Sequence, residues 1–251
     1  MNNIIINNFP KLGYACEEAF NTLCTNITFS GEHVKKILVT STFANEGKSF
    51  IAMNIMRTLA RFGKTVVLVD ADLRRSVISS EYDLKYQDEY SFGLAHMLAG
   101  MVRENDIIYR TNVPNAWIVP MGRAVSNPLP LLNSPKFGAF LDSLADKVDY
   151  VIVDSPPVGT VIDAAQIAKF CDGTLIAVGY NNVRKQELIN VKEQLEQTGC
   201  PVLGTVLNQV ELDSYANRKY YNKSYYYKYD YHPDTTEKHS NTKGKSGKIK
   251  K

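Results

Sequence analysis

Thr42-Phe43-Ala44-Asn45-Glu46-Gly47-Lys48-Ser49 decides how this chain reads, because of what lies on either side of it. Before it runs a short aliphatic stretch, residues 37–40. After it, residues 48–62 carry apolar side chains at helical spacing, closed by Gly63. Residues 66–69 then form a second strand-length apolar run that ends on Asp70. Strand, loop, helix, strand is a βαβ unit, and a crossover of this length predicts parallel pairing. A loop that enters a helix straight from a strand end points backbone N–H groups at whatever sits there, with the positive end of the helix dipole behind them. Gly47 allows the close approach, Lys48 adds a cationic arm, and Ser49 adds a hydroxyl able to ligate a hard cation. The stretch predicts a phosphate-binding loop. The glycine usual five residues before Gly47 is Thr42 here.

Working outward, residues 116–119, 150–153, 174–178 and 202–207 read as strands buried on both faces. Helices are predicted over 16–29, 135–145, 163–170 and 184–197, and residues 76–104 read as a helix pair or loop covering the site. This alternation predicts an α/β fold: a doubly wound, mostly parallel sheet with helices on both faces and ligands at the strands' carboxyl ends.

Two more strand ends carry acids. Asp70-Ala71-Asp72-Leu73-Arg74 places two carboxylates one residue apart at the mouth of the sheet, which suggests metal and proton chemistry; a cap of a helix or turn is the competing reading for Asp70. Val151-Ile152-Val153-Asp154 is an aliphatic strand ending in a carboxylate, the Walker B arrangement that holds Mg²⁺ directly or through water.

Bulk composition agrees with one folded domain. The chain has 251 residues, 44% apolar and 22% charged, enough for one sizeable α/β domain over 1–212. Beyond it, Tyr215, Tyr220, Tyr221, Tyr225, Tyr226, Tyr227, Tyr229 and Tyr231 crowd a Lys/Asn/Ser-rich stretch with few aliphatic residues, so 213–251 reads as a disordered tail. From His232 onward six lysines against Asp234 and Glu237 account for about +4 of charge, leaving the rest near neutral within a formal total of +3. That excludes a uniformly basic nucleic-acid-binding face. Cys16, Cys24, Cys171 and Cys200 are scattered without metal-ligand spacing, as for free thiols in a reducing compartment. The first ten residues lack a signal peptide's pattern and no apolar run reaches membrane length, so the expectation is a soluble, cytoplasmic protein.

From about Tyr14 to Val210 the chain resembles the catalytic domain of bacterial tyrosine kinases of the CpsD/CapB type, associated with capsule and exopolysaccharide assembly. The matching stretches are Gly47-Lys48-Ser49, Val67-Leu68-Val69-Asp70-Ala71-Asp72-Leu73-Arg74, Tyr150-Val151-Ile152-Val153-Asp154-Ser155-Pro156-Pro157, Glu193-Gln194-Leu195-Glu196-Gln197-Thr198-Gly199, Leu203-Gly204-Thr205-Val206-Leu207-Asn208, and the tyrosine cluster. The resemblance implies ATP and Mg²⁺ as cofactors. Asn45, Glu46, Gly47, Lys48, Ser49 and Phe50 would bind ATP, and Lys48 would neutralise its outer phosphates. Asp70 would accept the tyrosine proton, and Ser49, Asp72 and Asp154 would hold the metal or its waters. Arg184 would face phosphate, unless it only caps a helix, and Asn208 would recognise adenine, unless it is a turn residue. The eight tail tyrosines would be autophosphorylation sites. A separate membrane adaptor of the polysaccharide co-polymerase type would activate the kinase and recruit it to the inner face of the cell membrane. The family's N-terminal self-association motif keeps Glu18 but has Asn21 and Cys24 in place of two arginines, which removes bidentate ion pairs and argues against an oligomer built that way. The loop also has Ala44-Asn45 for the common Pro-Gly, and Pro130 for a Glu.

Two other functions share the fold. A partition- or positioning-type switch ATPase normally has a lysine where Phe43 stands and lacks a tyrosine tail. A nucleotide-binding regulator without phosphotransfer is the other.

Overall fold

The computed structural model describes residues 2–87 and 91–210. The chain opens as strand β1 (Asn2–Ile6), with Ile4 and Ile6 buried and Ile5 exposed. Helix α1 (Tyr14–Thr28) follows, burying Phe20, Cys24 and Ile27. The βαβ unit is β2 (Lys36–Ser41), α2 (Lys48–Arg61) and β3 (Val66–Asp70). Residues 76–104, expected as a helix pair or loop, hold two short helices with a strand between them: α3 (Ile78–Glu81), β4 (Leu84–Tyr86) and α4 (Leu94–Leu98). Then come β5 (Tyr109–Arg110), β6 (Ala116–Val119), α5 (Leu129–Leu132) and α6 (Pro135–Ala145). The remainder is β7 (Tyr150–Asp154), α7 (Asp163–Ala168), β8 (Gly173–Gly179), α8 (Lys185–Glu196) and β9 (Val202–Asn208).

Among the described residues the strands form one sheet in the order β4-β1-β5-β6-β3-β7-β2-β8-β9. From β6 to β9 all neighbours are parallel, as predicted. The β1–β4 and β5–β6 pairs are antiparallel and extend the sheet beyond the predicted strands. These edge strands are two to five residues long, too short for a pattern of alternation to stand out.

The aliphatic runs are continuous because each central strand is covered on both faces. Ile37 and Val39 of β2, Val66 and Leu68 of β3, and Ile152 of β7 join the layer containing Phe20, Ile51 and Ile55 from α1 and α2. Their alternates Leu38, Val67, Val69, Val151 and Val153 join the opposite layer, with Phe137, Phe140 and Ile167 from α6 and α7. Each such side chain contributes roughly 1.5–3 kcal/mol by leaving water.

Register brings the chemistry together. Val39 pairs with Asp154, and Asp154 pairs in turn with Asp70, so β7 and β3 end at one level and β2 runs two residues beyond it to Ser41. The chain leaves β2 for β3 on the far side of β7 and returns later to β8 on the opposite side of β2. Such a switch opens a crevice at the carboxyl ends of the strands. Residues up to Val210 make one compact unit. The tail expected over 213–251, with its eight tyrosines, lies outside the described residues. No helix among the described residues is long and apolar enough to cross a membrane.

Candidate functional site

β2 ends at Ser41, and the chain turns through residues 42–47 into α2. Asn45 and Gly47 take left-handed backbone, with φ of 65° and 82°. Gly47 has a second reason to be glycine, since a Cβ there would lie 2.0 Å from Nδ2 of Asn208. The first hydrogen bond of the α2 ladder runs from Ile51 N–H to the Gly47 carbonyl. The N–H groups of Lys48, Ser49 and Phe50 therefore precede the ladder, where an anion can take them.

Neighbouring strand ends hold the loop. Nδ2 of Asn208 donates to the Glu46 carbonyl at 3.0 Å, and Nε2 of Gln209 donates to the Asn45 carbonyl at 2.8 Å. Glu46 is fully buried, and its carboxylate accepts hydrogen bonds from within the protein. The Phe50 ring packs edge-on to Phe20 with centroids 5.9 Å apart, which leaves its backbone N–H as the group an anion could use. Arg184 is exposed at the N-cap of α8, with its own N–H donating to Glu187 Oε2 at 2.8 Å. No described contact joins its side chain to the loop.

Asp70, Asp72 and Asp154 are all buried. The Ser76 hydroxyl donates to Oδ2 of Asp70. Oδ1 of Asp70 and both carboxylate oxygens of Asp154 have no hydrogen-bond partner of normal geometry. Asp72 accepts from the Arg75 N–H at 3.0 Å through Oδ1, and its Oδ2 lies 3.6 Å from Nζ of Lys48. Burial first, and then the charge of Asp154, holds Asp70 well above the usual carboxylate range. Burial likewise pushes Asp154 up to about 6, against the opposing pull of Lys48 and the nearby Ser49 hydroxyl.

Three buried carboxylates facing one lysine are short of positive charge, and unpartnered buried charge is costly. A divalent cation fits that deficit. Among the described residues no group of three or more His, Cys, Asp or Glu could hold a metal alone. Mg²⁺ suits such a place, because it keeps waters and phosphate oxygens and takes only one or two carboxylates.

One contact was not legible in the sequence. The Arg74 guanidinium makes a two-pronged ion pair with Asp163, its second contact Nη2 to Oδ1 at 3.0 Å, and Asp163 is fully buried at the start of α7. This pair ties the segment carrying Asp70 and Asp72 to α7. In the sequence Asp163 shows only as an acid at a helix start, and nothing local says that it is buried.

Comparison with known proteins places this geometry. Residues 37–220 match the CobQ/CobB/MinD/ParA nucleotide binding domain family. Tyrosine-protein kinase CpsD of Streptococcus pneumoniae is 38% identical over 207 residues, spanning 82% of this chain and 90% of that protein. The chimerical protein CapA2B2 superposes with a TM-score of 0.72 at 31% identity, covering 82% of this chain and 92% of its own. MinD of Pyrococcus horikoshii, solved with Mg-ADP, gives 0.61 at 23% identity over 72% of each chain, a likeness of fold alone. The chain belongs to the CobQ/CobB/MinD/ParA nucleotide-binding family and, within it, to the bacterial tyrosine-protein kinases of the CpsD type.

Proposed function

We propose that this protein is an ATP-dependent tyrosine autokinase that phosphorylates its own C-terminal cluster, Tyr215 to Tyr231, and thereby regulates capsular or exopolysaccharide synthesis and export. The observation that carries the reading is the meeting of Asp70, Asp72 and Asp154 with Lys48 and an open helix N-terminus at three adjoining strand ends. The ATP phosphates would take the N–H groups of residues 48–50, with Nζ of Lys48 turning from Asp72 to the outer phosphates. Ser49 and Asp154 would hold Mg²⁺ and Asp72 its waters; when bound, the ion neutralises charge spread over the phosphoryl oxygens. Asp70 has one oxygen held by Ser76, and the other is buried without a hydrogen-bond partner of normal geometry. A carboxylate kept above its ordinary range is a stronger base. It would take the tyrosine proton as the phenolic oxygen bonds to the γ-phosphorus and the bond to the bridging oxygen breaks, releasing ADP.

The resemblance to capsule kinases supports a separate membrane adaptor that activates the enzyme at the inner face of the membrane. The cytoplasmic tail of such an adaptor should raise the rate; full activity without it would remove that part of the reading.

The deciding experiment incubates purified full-length protein with Mg-ATP and maps phosphotyrosine by mass spectrometry, with Lys48→Ala and Asp70→Asn alongside. Phosphate on the tail tyrosines in the wild type alone is the expected result. ATP hydrolysis with no phosphotyrosine, adaptor peptide included, would favour a switch ATPase. Nucleotide binding with neither would leave a regulator.

A further inference from the structure

An acidic side chain inside a phosphate-binding loop runs against the loop's purpose, because a carboxylate facing phosphate would repel it. Glu46 avoids that conflict by turning inward. It is fully buried, and its carboxylate accepts three hydrogen bonds: from Phe43 N–H at 2.8 Å, Gly179 N–H at 3.1 Å and Nδ2 of Asn182 at 3.2 Å. These donors belong to the start of the loop, the end of β8 and the turn that follows. The carbonyl of Glu46 takes a fourth bond, from Nδ2 of Asn208 at 3.0 Å. Thr42 cannot brace the loop in its stead, since its hydroxyl oxygen is buried without a partner.

We infer that Glu46 is a positioning residue: its carboxylate presets the phosphate loop before nucleotide arrives and ties it to the β8–α8 turn, without touching the nucleotide. A loop ordered in advance loses less freedom on binding, so the benefit appears in affinity. The charge matters as well as the size. Glutamine has nearly the same shape but presents an NH₂ where one of three donors needs an acceptor, so Glu46→Gln sets donor against donor.

This inference rests on the nucleotide site proposed above, and titration calorimetry with MgADP on full-length protein separates the two. Glu46→Gln should weaken MgADP about tenfold, the usual effect of stranding a buried donor. Asn182→Ala, which removes one of the three bonds from an exposed position, should weaken it about two- to threefold. Tail phosphorylation at saturating ATP should keep its kcat within about twofold in both variants, with KM carrying the change. Wild-type affinity in Glu46→Gln, or a lowered kcat at unchanged KM, overturns the inference. Should Glu46→Gln fail to fold, Asn182→Ala decides, and wild-type affinity there overturns it. A wild type that binds no MgADP would sink the nucleotide site itself, and the inference with it.

Discussion

Asp154 occupies a position where charge is poorly tolerated, and that makes it a measurable liability in the ligand-free protein. Its carboxyl is held at about 6 instead of 3.8, chiefly by burial. A group whose folded value is raised contributes stability below its unfolded value and loses that contribution as pH rises through the folded one. The ligand-free protein should therefore lose on the order of 2–3 kcal/mol from this group between about pH 4 and pH 6. Asp70 shifts in the same direction. Asp154→Asn should raise the melting temperature of the ligand-free protein by roughly 5 °C at pH 7.5, with little gain at pH 4, while abolishing tail phosphorylation. Thermal melts at the two pH values check this; a variant that melts lower than wild type at pH 7.5 would show that Asp154 is already compensated.

Between elements, two contacts fix where the acids stand. Arg74 is partly exposed whereas its partner Asp163 is fully buried. Removing the cation strands a buried carboxylate, and removing the acid only returns a guanidinium to water. Arg74→Ala should thus destabilise by about 2–4 kcal/mol in urea unfolding, and Asp163→Asn by clearly less. The reverse order would mean that Asp163 is solvated on opening. The loop after β7 leans on the phosphate loop: a Cβ on Gly159 would meet the Thr42 carbonyl oxygen at 2.4 Å, and the Val158 N–H donates to the Ser41 carbonyl at 2.9 Å. Gly159 needs no left-handed backbone, so Gly159→Ala acts through that contact alone. It should weaken MgADP binding severalfold with a smaller effect on melting, as read by calorimetry beside a thermal scan.

At the scale of the whole molecule, Glu18, Asn21 and Cys24 of α1 already have partners within the chain. Nδ2 of Asn21 donates to Glu18 at 2.9 Å, Arg61 donates to Asn21 at 2.6 Å, and Cys24 is buried against α2. Sedimentation velocity over about a hundredfold range of concentration should give one boundary; a larger species abolished by Glu18→Lys would contradict this. The proposed division at 212 has its own test. A chain ending at Leu212 should melt within about 2 °C of full length and bind MgADP equally, since the compact unit ends by Val210, yet it should yield no phosphotyrosine on incubation with Mg-ATP.

Local chemistry makes much of this molecule legible in its sequence. The βαβ unit, the parallel centre of the sheet, the phosphate loop and Asp70, Asp72 and Asp154 at strand ends all show in short contiguous patterns. Aliphatic runs, turn residues and helix starts depend on neighbours within a few positions, which is the range a sequence displays directly. β1 is not legible from Ile4-Ile5-Ile6 alone, because the partners that make it a strand, β4 and β5, lie about eighty to a hundred residues away. Only the tertiary structure decided which polar groups are buried and what answers them. Glu46 turns from the phosphate side to brace its own loop, Asn208 caps the Glu46 carbonyl, and Asp163 disappears beneath Arg74. The physical reason is that a buried polar atom must find its partner wherever the fold brings one, here 133 residues away between Glu46 and Gly179.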